Sequence, residues 1–543
     1  MEDRRLKLPI GIQTFDDIRT GGYVYVDKTN YLVNLIDQGK IYFFARPRRF
    51  GKSLTVSTLD ALFSGKKELF NGLAAEEFLN RPDFQPSPVI RLDMSSITTS
   101  QGIKKMEVSL KHLTAEVAEK LGTVIPKYLS SGDMLRNLIK NASKKYSQKV
   151  VILLDEYDKP YTDFVNEPDM AEKVRDVLRN YYTQIKANDE YIRFVFITGI
   201  SKFAKLGVFS TLNTPLDISL KPEYANMCGY TEEEIIRYFP DYLEETAKSM
   251  QISTDELIEK MRHYYNGFSF DFDAKTRLYN PYSTLTFFSK RIFLNYWIHT
   301  GKPKFIADYL KNRSLTVEQF RNFPVSLYFA ENPGDVDSTP PEGFLYQSGY
   351  LTLRPGVADG HLTLDYPNTE VLNSMSALVA QNIFQEKGKE YGFYNRRIIH
   401  AIQTNDYKLF KEALNSLLAS IPYDDFSKAA DESVVLNGYK FPAQEWLYRS
   451  TILSFLRGCG IVVDAEMHTH LGRPDLVVSF NSQIWVIEIK VAYEGQNATQ
   501  KAEEAIRQII DKQYAKPYLN ASCIGLGIDD SLRQITAMRV ERL

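Results

Sequence analysis

The segment at residues 41–63 constrains the fold more than any other part of this 543-residue chain. Five apolar residues, IYFFA (41–45), precede a basic loop, RPRRFG (46–51), and the loop leads into KSLTVSTLDALF (52–63), which has a helical pattern. A buried strand that turns through a glycine into a helix presents backbone N–H groups and a helix N-terminus to an anion. The sequence therefore predicts a phosphate-binding loop in an α/β domain.

The residues of this loop carry the chemistry of nucleotide binding. Residues 46–53 fit the Walker pattern GxxxxGK(S/T), except that Arg46 stands in place of the first glycine. Gly51 lets the backbone approach phosphates closely, Lys52 can reach the β- and γ-phosphates, and Ser53 can ligate Mg²⁺. The predicted cofactor-binding segment contains Arg48, Arg49, Phe50, Gly51, Lys52, Ser53 and Leu54, and we expect the arginines 46, 48 and 49 to concentrate positive charge there. The alternative is a basic strand-to-helix turn without a ligand.

An acidic pair completes the predicted ATP site. The apolar run KVVILLDE (149–156) ends in Asp155 and Glu156. A carboxylate at the end of a buried strand can hold Mg²⁺, usually through water, and the next can polarise the attacking water. The following strand ends near Thr198 and Ser201, which can either sense the γ-phosphate or act as ordinary strand-end hydrogen-bonding groups. We therefore predict that Asp155 and Thr198 bind the nucleotide and its metal ion, and that Glu156 is catalytic in ATP hydrolysis.

The order of apolar runs predicts the fold class. Short strand-like runs alternate with amphipathic helical patterns between 41 and 230, which is typical of an α/β domain whose parallel sheet is covered on both faces. Strand-like pieces return at YQSGYLTLRP (346–355) and GHLTLDYP (360–367), and from 440 the order is helix, three strands, helix, strand. The predicted domains are 1–229, a P-loop core; 230–330, a helical lid; 331–430, a linker and helical segment; and 431–543, a second α/β domain.

A second group of polar residues lies near the C-terminus. LGRPDLVVSF and QIWVIEIKV, joined by the turn NS, predict a hairpin in which Asp475 begins one strand and Glu488 and Lys490 share one face of the other. Two carboxylates can bind Mg²⁺ and a lysine can position water and stabilise developing charge, so we predict a metal-dependent hydrolytic site. Glu445 and Gln508, on the helices before and after the hairpin, complete the candidates. The alternative is an exposed salt bridge on an edge hairpin.

The composition of the chain bears on its partners and on its location in the cell. The net charge is −2, so nucleic-acid binding would need a local basic surface, which we expect around Lys490, Arg473, Lys501 and Arg507. The three cysteines are far apart, which argues against a disulfide framework or a CxxC zinc site. No apolar run is long enough to span a bilayer and the N-terminus lacks a secretory h-region, so we expect a cytoplasmic protein without a membrane partner.

The motifs together resemble two known families. LPIGIQTFDDI, YVYVDKTNYLVNLI, FFARPRRFGKSLTVSTL and VVILLDEYDKP resemble the AAA-ATPase-like family of bacterial proteins, and Pro474-Asp475 with Glu488-Ile489-Lys490 resembles the PD-(D/E)XK nuclease superfamily. The resemblance implies a RecA-like parallel-sheet ATPase core, a helical lid, a winged-helix-like segment and a restriction-endonuclease-like C-terminal α/β domain. It also implies that Ser53 and Asp155 bind one metal ion, and that Asp475 and Glu488 bind another, with Glu445 and Gln508 at supporting positions.

Three functions are compatible with these patterns. The first is an ATP-binding, ATP-hydrolysing protein coupled to a nuclease that uses Mg²⁺ or Mn²⁺ on DNA or RNA, a combination that fits defence against mobile elements. The second is a nucleotide-dependent switch or scaffold whose C-terminal domain binds nucleic acid or a partner without cutting. The third is a small-molecule kinase. Assembly into a homo-oligomer is compatible with each of them.

Overall fold

The computed structural model describes residues 5–542 except for ten internal gaps: 165–166, 201–214, 298–316, 332–340, 357–360, 386–390, 420–432, 437–438, 466–473 and 481–482. The chain divides into two compact units, Met1–Phe305 with Asn322–Glu370, and Ile306–Arg321 with Val371–Leu543. The four predicted domains and the boundaries between them stay predictions. No described helix is long and apolar enough to cross a membrane.

A five-stranded parallel sheet forms the centre of the first unit. Its strands are β1 (Ile41–Ala45), β2 (Val89–Asp93), β3 (Val150–Asp155), β4 (Ile192–Gly199) and β5 (Leu216–Asp217). Their order across the sheet is β2-β3-β4-β1-β5, and each neighbouring pair is parallel. Every residue of β3 is buried, as expected for a strand inside a sheet with two covered faces. The predicted α/β fold class is confirmed.

The helices of the first unit cover this sheet and extend beyond it. They are α1 (Phe15–Thr20), α2 (Thr29–Gln38), α3 (Lys52–Phe63), α4 (Glu76–Leu79), α5 (Ile103–Lys120), α6 (Ser131–Tyr146), α7 (Lys159–Thr162), α8 (Pro168–Ala187), α9 (Glu232–Tyr238), α10 (Pro240–Met250), α11 (Thr254–Tyr265), α12 (Pro281–Lys290), α13 (Leu327–Glu331) and α14 (Pro341–Ser348). Short 3₁₀ helices occur at Lys67–Phe70, Met94–Ser96, Asp189–Tyr191 and Pro222–Met227. Helix α9 begins with a capping box between Thr231 and Glu234, which satisfies backbone N–H groups that the helix leaves unpaired.

The first unit also contains a small antiparallel sheet, in which one strand is shorter than the sequence predicts. It contains β6 (Phe323–Val325), β7 (Thr352–Pro355) and β8 (Leu362–Asp365), in the order β6-β8-β7. Residues 346–355 were expected to be strand-like, but the first part is the end of α14. Gly349 ends that helix with a φ of 88°, and a Cβ there would lie 2.6 Å from Cβ of Pro47. The close approach of Pro47 explains why a glycine follows the helix, and the strand β7 begins only at Thr352.

The second unit is built on a mixed five-stranded sheet. Its strands are β11 (Val462–Ala465), β12 (Leu476–Phe480), β13 (Gln483–Ala492), β14 (Ser522–Asp529) and β15 (Gln534–Arg542). Their order is β11-β12-β13-β14-β15, with β13 and β14 parallel and the other neighbours antiparallel. A separate antiparallel pair contains β9 (Ser433–Leu436) and β10 (Tyr439–Pro442). The helices are α15 (Thr369–Gln385), α16 (Tyr391–Thr404), α17 (Tyr407–Leu418), α18 (Ala443–Gly458) and α19 (Ala498–Asp511), with a 3₁₀ turn at Glu318–Phe320. The predicted order from residue 440 lacked β15.

Helix α19 lies very close to strand β14. A Cβ added to Gly527 would lie 2.0 Å from the carbonyl oxygen of Ala498, and one added to Gly525 would lie 2.4 Å from that of Ala502. Glycine at both positions therefore lets the helix backbone pack directly on the strand. Because Gly525 pairs with Glu488 in the neighbouring strand β13, this packing brings the helix over the predicted hydrolytic site.

Candidate nucleotide site and candidate nuclease centre

The loop between β1 and α3 has the geometry of a phosphate cradle. Gly51 has a φ of 100°, and Arg49 also has a positive φ of 66°. Glycine adopts this left-handed region without steric cost, whereas an arginine there is strained. The ammonium of Lys52, the first residue of α3, donates hydrogen bonds of 3.0 Å to the carbonyl oxygens of Arg46 and Pro47. The lysine is 5% exposed, and its burial lowers its pKa, while the carboxylates of Glu156 and Asp155 act in the opposite direction.

The predicted metal ligands of this site lie in contact. The side chain of Ser53, in the first turn of α3, lies near enough to the carboxyl of Asp155, at the end of β3, to lower its pKa. Asp155 is 1% exposed, and burial raises its pKa. A serine hydroxyl and an aspartate are hard oxygen donors of the kind that Mg²⁺ prefers. The sequence motifs 46–53 and 149–156 therefore meet in one site.

Glu156 follows Asp155 in a constrained conformation. Its φ is 50°, and its backbone N–H donates to Oδ1 of Asp155 at 3.1 Å. Burial raises the pKa of its carboxyl, and the neighbouring ammonium of Lys52 lowers it. A left-handed glutamate persists only where its surroundings hold it, and such strain is common at functional sites.

Thr198 lies on β4, the strand between β1 and β3. Its side chain is fully buried, and Oγ1 has no hydrogen-bond partner among the described residues. The carbonyl oxygen of Thr198 accepts a hydrogen bond of 3.1 Å from the backbone N–H of Tyr157, which fixes the strand end next to the acidic pair. Ser201, the second predicted sensor, lies outside the described residues.

Arg46 does not add charge to the phosphate cradle, contrary to the prediction. It is 1% exposed, and its guanidinium lies 4.2 Å from the ring centroids of both Phe44 and Phe270. It donates hydrogen bonds to the carbonyl oxygens of Ala45, Ser219, Tyr224 and Ala225. Burial lowers its pKa to about 10. The arginine that replaces the Walker glycine therefore links the segment after β5 to the end of β1. Its branched guanidinium has enough N–H donors to bind four carbonyl oxygens.

The other loop residues connect the cradle to the region of α11 and α12. The ring of Phe50 packs edge-on against Phe268, with centroids 4.8 Å apart, and Arg49 lies 5.2 Å over the ring of Tyr282. The carbonyl oxygen of Arg48 accepts a hydrogen bond of 3.3 Å from the indole N–H of Trp297. Leu54, the last predicted cofactor-binding residue, lines a cavity of about 70 Å³ together with Gly51, Tyr25, Thr55 and Met227.

The predicted hydrolytic residues converge on the hairpin of β12 and β13. Leu476 pairs with Ile487, so Asp475, just before β12, lies beside Glu488. Ile487 and Ile489 are fully buried in the core. Glu488 is 2% exposed and the side chain of Lys490 is 27% exposed, and both lie on the opposite face, as the alternation predicted.

Backbone hydrogen bonds fix the two carboxylates. The N–H of Asp475 donates to Oε2 of Glu488 at 3.2 Å, and the N–H of Ile489 donates to Oδ2 of Asp475 at 2.7 Å. On the other oxygen of Glu488, Oε1 accepts a hydrogen bond from the side-chain amide of Gln508 and lies 3.3 Å from Nζ of Lys490. Burial, together with the charge of Asp475, raises the pKa of Glu488 to about 8. The carboxylates of Glu488, Asp475 and Glu445 outweigh the burial of Lys490 and raise its pKa.

Helix α18 contributes one residue that was predicted and one that was missed. Burial raises the pKa of Glu445, near the start of the helix. One turn later, Arg449 is 8% exposed, and its Nε lies 3.6 Å from Oδ1 of Asp475. The spacing of four residues from Glu445, which puts both side chains on one helix face, is the sequence signal that could have identified it.

The expected basic surface is described only in part. Arg473 lies outside the described residues, and Lys501 forms a salt bridge of 2.8 Å with Glu504. Tyr493, three residues after Lys490, was also missed, and its buried hydroxyl has no hydrogen-bond partner within the described ranges. Burial raises its pKa to about 12. In the same described ranges, no group of three or more His, Cys, Asp or Glu side chains is arranged to hold a metal ion.

The folds and sites define a P-loop α/β unit joined in one chain to an α/β unit with a PD-(D/E)XK hairpin. Residues 9–209 match the family model described as a predicted AAA-ATPase, and residues 443–535 match that of the PD-(D/E)XK nuclease superfamily. An uncharacterized protein in the vnfD 5′ region of Azotobacter chroococcum mcd 1 is 34% identical over 522 residues, 95% of this chain and 94% of that protein. The chain therefore belongs to the family of that protein, an AAA-ATPase-like family with a C-terminal PD-(D/E)XK domain.

One solved structure is also similar. The ORC2 protein of Aeropyrum pernix, solved as ADPNP–ADP complexes, matches with a TM-score of 0.30 and 12% identity, over 66% of this chain and 92% of that one.

Proposed function

We propose that the chain binds and hydrolyses ATP and that this activity is coupled to a metal-dependent nuclease that cuts DNA or RNA. The observation that carries the nuclease half is the cross-bonded pair of Asp475 and Glu488 with Lys490 on the same face. The observation that supports the ATP half is the contact between Ser53 and Asp155 beside the buried Lys52. Both family matches agree with this pairing of activities.

In the first unit, each residue has a separate role in the proposal. Gly51 and the N-terminus of α3 hold the phosphates through backbone N–H groups, and Lys52 leaves the loop carbonyls to contact the β- and γ-phosphates. Ser53 and Asp155 have the oxygen donors that suit Mg²⁺, which would neutralise phosphate charge when bound. Glu156 orients and polarises the attacking water, and the unpartnered hydroxyl of Thr198 contacts the γ-phosphate or that water.

In the second unit, the donor set fits a hard divalent cation. Asp475 and Glu488 would supply the carboxylate oxygens, and Glu445, which is near enough to raise the pKa of Lys490, stands at a supporting position. A bound Mg²⁺ or Mn²⁺ would polarise the scissile phosphate and acidify a water molecule. Lys490 holds that water and stabilises the negative charge that develops as the new O–P bond forms and the P–O bond to the leaving sugar oxygen breaks. Gln508 keeps the carboxylate of Glu488 in position through its amide.

Nuclease assays test this proposal directly. Plasmid DNA, single-stranded DNA and single-stranded RNA would be incubated with the full chain and Mg²⁺, Mn²⁺ or EDTA. We expect cleavage with a divalent metal that is lost in Glu488→Ala and Lys490→Ala. Cleavage that persists at full rate in Glu488→Ala would contradict this centre. Failure to cut any substrate, with ATP binding intact, would favour the switch or scaffold function instead.

A further inference from the structure

Arg449 contacts the one oxygen of Asp475 that the backbone leaves open. Oδ2 of Asp475 accepts the 2.7 Å hydrogen bond from the N–H of Ile489. Oδ1 faces Nε of Arg449 across 3.6 Å, which is beyond hydrogen-bond distance but within range of an ion pair. The two side chains are 9% and 14% exposed, so water screens this pair only weakly. The contact is therefore electrostatic and sits where a cation ligand of Asp475 would sit.

The charges around this contact show why a cation is needed there. Asp475, Glu488 and Glu445 bring three carboxyl groups into one partly buried centre. Lys490 compensates mainly Glu488, since its Nζ lies 3.3 Å from Oε1 of that residue. Arg449 is the cation within salt-bridge distance of Asp475 in the described part of the chain. Buried like charges are costly unless each has a partner, so removal of this arginine would leave Asp475 with only the more distant charge of Lys490 to compensate it.

We infer that Arg449 is a resident cation of the nuclease centre, which neutralises Asp475 in the metal-free protein and which an incoming divalent metal ion must displace from Oδ1. The inference rests on the proposed metal-dependent nuclease and adds a control on metal occupancy. Arg449 acts through Asp475, so it is a positioning residue. Because the guanidinium and the metal ion are both positive and use the same oxygen, the arginine stabilises the empty centre and weakens metal binding.

Removal of Arg449 should have two effects: lower stability of the metal-free protein and tighter binding of the metal ion. Removal of an arginine with only a structural role should lower the stability and leave metal binding unchanged. In Arg449→Met, the metal-free protein should melt at a lower temperature because the carboxylates are less well compensated. The same variant should bind Mn²⁺ at least about fivefold more tightly, since a positive charge next to the ligand is gone. Arg449→Lys retains the charge without the planar guanidinium, so its Mn²⁺ affinity should lie between those of Arg449→Met and the wild type.

Helix α18 provides a matched control. Arg457 is on the same helix, is 4% exposed, and donates to the carbonyl oxygen of Val463 at 3.1 Å. Arg457→Met should therefore lower the melting temperature without changing Mn²⁺ affinity. This control distinguishes the general effect of removing a buried arginine from the specific effect of removing the arginine beside Asp475.

The experiment is Mn²⁺ titration of the nucleotide-free full chain, by calorimetry and by the electron paramagnetic resonance of free Mn²⁺, with Glu488→Ala as the background. The expected result is tighter binding in Arg449→Met and unchanged binding in Arg457→Met. Unchanged or weaker binding in Arg449→Met, with clear binding by the wild type and by Arg449→Lys, would overturn the inference alone. Absence of any Glu488-dependent Mn²⁺ binding by the wild type would overturn the nuclease proposal as well.

Discussion

The backbone N–H of Asp475, just before β12, donates to the carboxylate of Glu488 on β13 across 3.2 Å. The hydrogen bond holds the buried carboxyl of Glu488 beside the partly buried one of Asp475, and their proximity contributes to a pKa of about 8 for Glu488. Two adjacent carboxyl groups, one of them with a raised pKa, are well suited to a divalent cation, which can replace a proton.

This pKa predicts a pH dependence of metal binding. Burial and the charge of Asp475 raise the pKa of Glu488, so a proton competes with a metal ion for this carboxylate as the pH falls. The apparent Mn²⁺ affinity should therefore rise with pH between 6 and 8, by up to about tenfold per unit, and level off above that. Titrations at pH 6, 7, 8 and 9 would measure it, and an affinity that is constant over this range would contradict a raised pKa of Glu488.

Binding and hydrolysis of ATP should separate in two variants of the first unit. Lys52→Ala removes the ammonium that contacts the phosphates, so ATP affinity should fall by at least about tenfold. Glu156→Gln retains the shape but cannot polarise water, so ATP should bind within about threefold of wild type while kcat falls at least about a hundredfold. Binding of a fluorescent ATP analogue and phosphate release would check both. Wild-type turnover in Glu156→Gln would exclude the assigned role.

Restoration of the Walker glycine should damage the protein. Arg46→Gly removes the guanidinium that binds four carbonyl oxygens and leaves those acceptors buried, which should cost about 3 kcal/mol of stability or more. Thermal unfolding would measure the loss. Arg49→Gly is the control, because Arg49 is exposed and has a φ of 66° that glycine adopts more easily, so its melting temperature should be unchanged or higher. Equal melting temperatures for Arg46→Gly and wild type would contradict the structural role of Arg46.

Glu370 should make the stability of the first unit depend on pH. Its fully buried carboxyl accepts hydrogen bonds from Ser283 Oγ at 3.0 Å and Trp297 N at 2.8 Å, and burial raises its pKa to about 8. The native state therefore holds a proton that the unfolded state releases above about pH 4.5, so stability falls as pH rises from 4.5 to 8. The upper limit of this effect is on the order of 5 kcal/mol.

Because glutamine cannot ionise, Glu370→Gln should not show this loss of stability as the pH rises. The melting temperature of Glu370→Gln minus that of wild type should therefore increase between pH 5 and pH 8, as followed by circular dichroism or calorimetry. A difference that does not change with pH would show that Glu370 does not retain its proton in the native state.

Much of this architecture was predictable because it depends on local patterns. The apolar runs that form β1, β3 and β4 and the alternation of Glu488 and Lys490 are properties of neighbouring residues, and both families could be identified from short motifs. Arg46 and Arg449 were different. Their roles depend on partners distant in sequence, the carbonyl of Ser219 for one and Asp475 for the other. Local sequence patterns do not encode such contacts, so Arg46 is expected from the sequence to add charge beside the phosphate site, whereas its guanidinium belongs to the core.

Cleavage of supercoiled plasmid by the full chain with Mn²⁺, with and without ATP, tests the central claim most directly. The proposed function predicts metal-dependent cleavage by wild type, no cleavage by Glu488→Ala, and loss of the ATP effect in Lys52→Ala while Mn²⁺ still binds. Cleavage that is equal in wild type and Glu488→Ala, or that responds to ATP equally in wild type and Lys52→Ala, would contradict the claim that these two sites form an ATP-coupled nuclease.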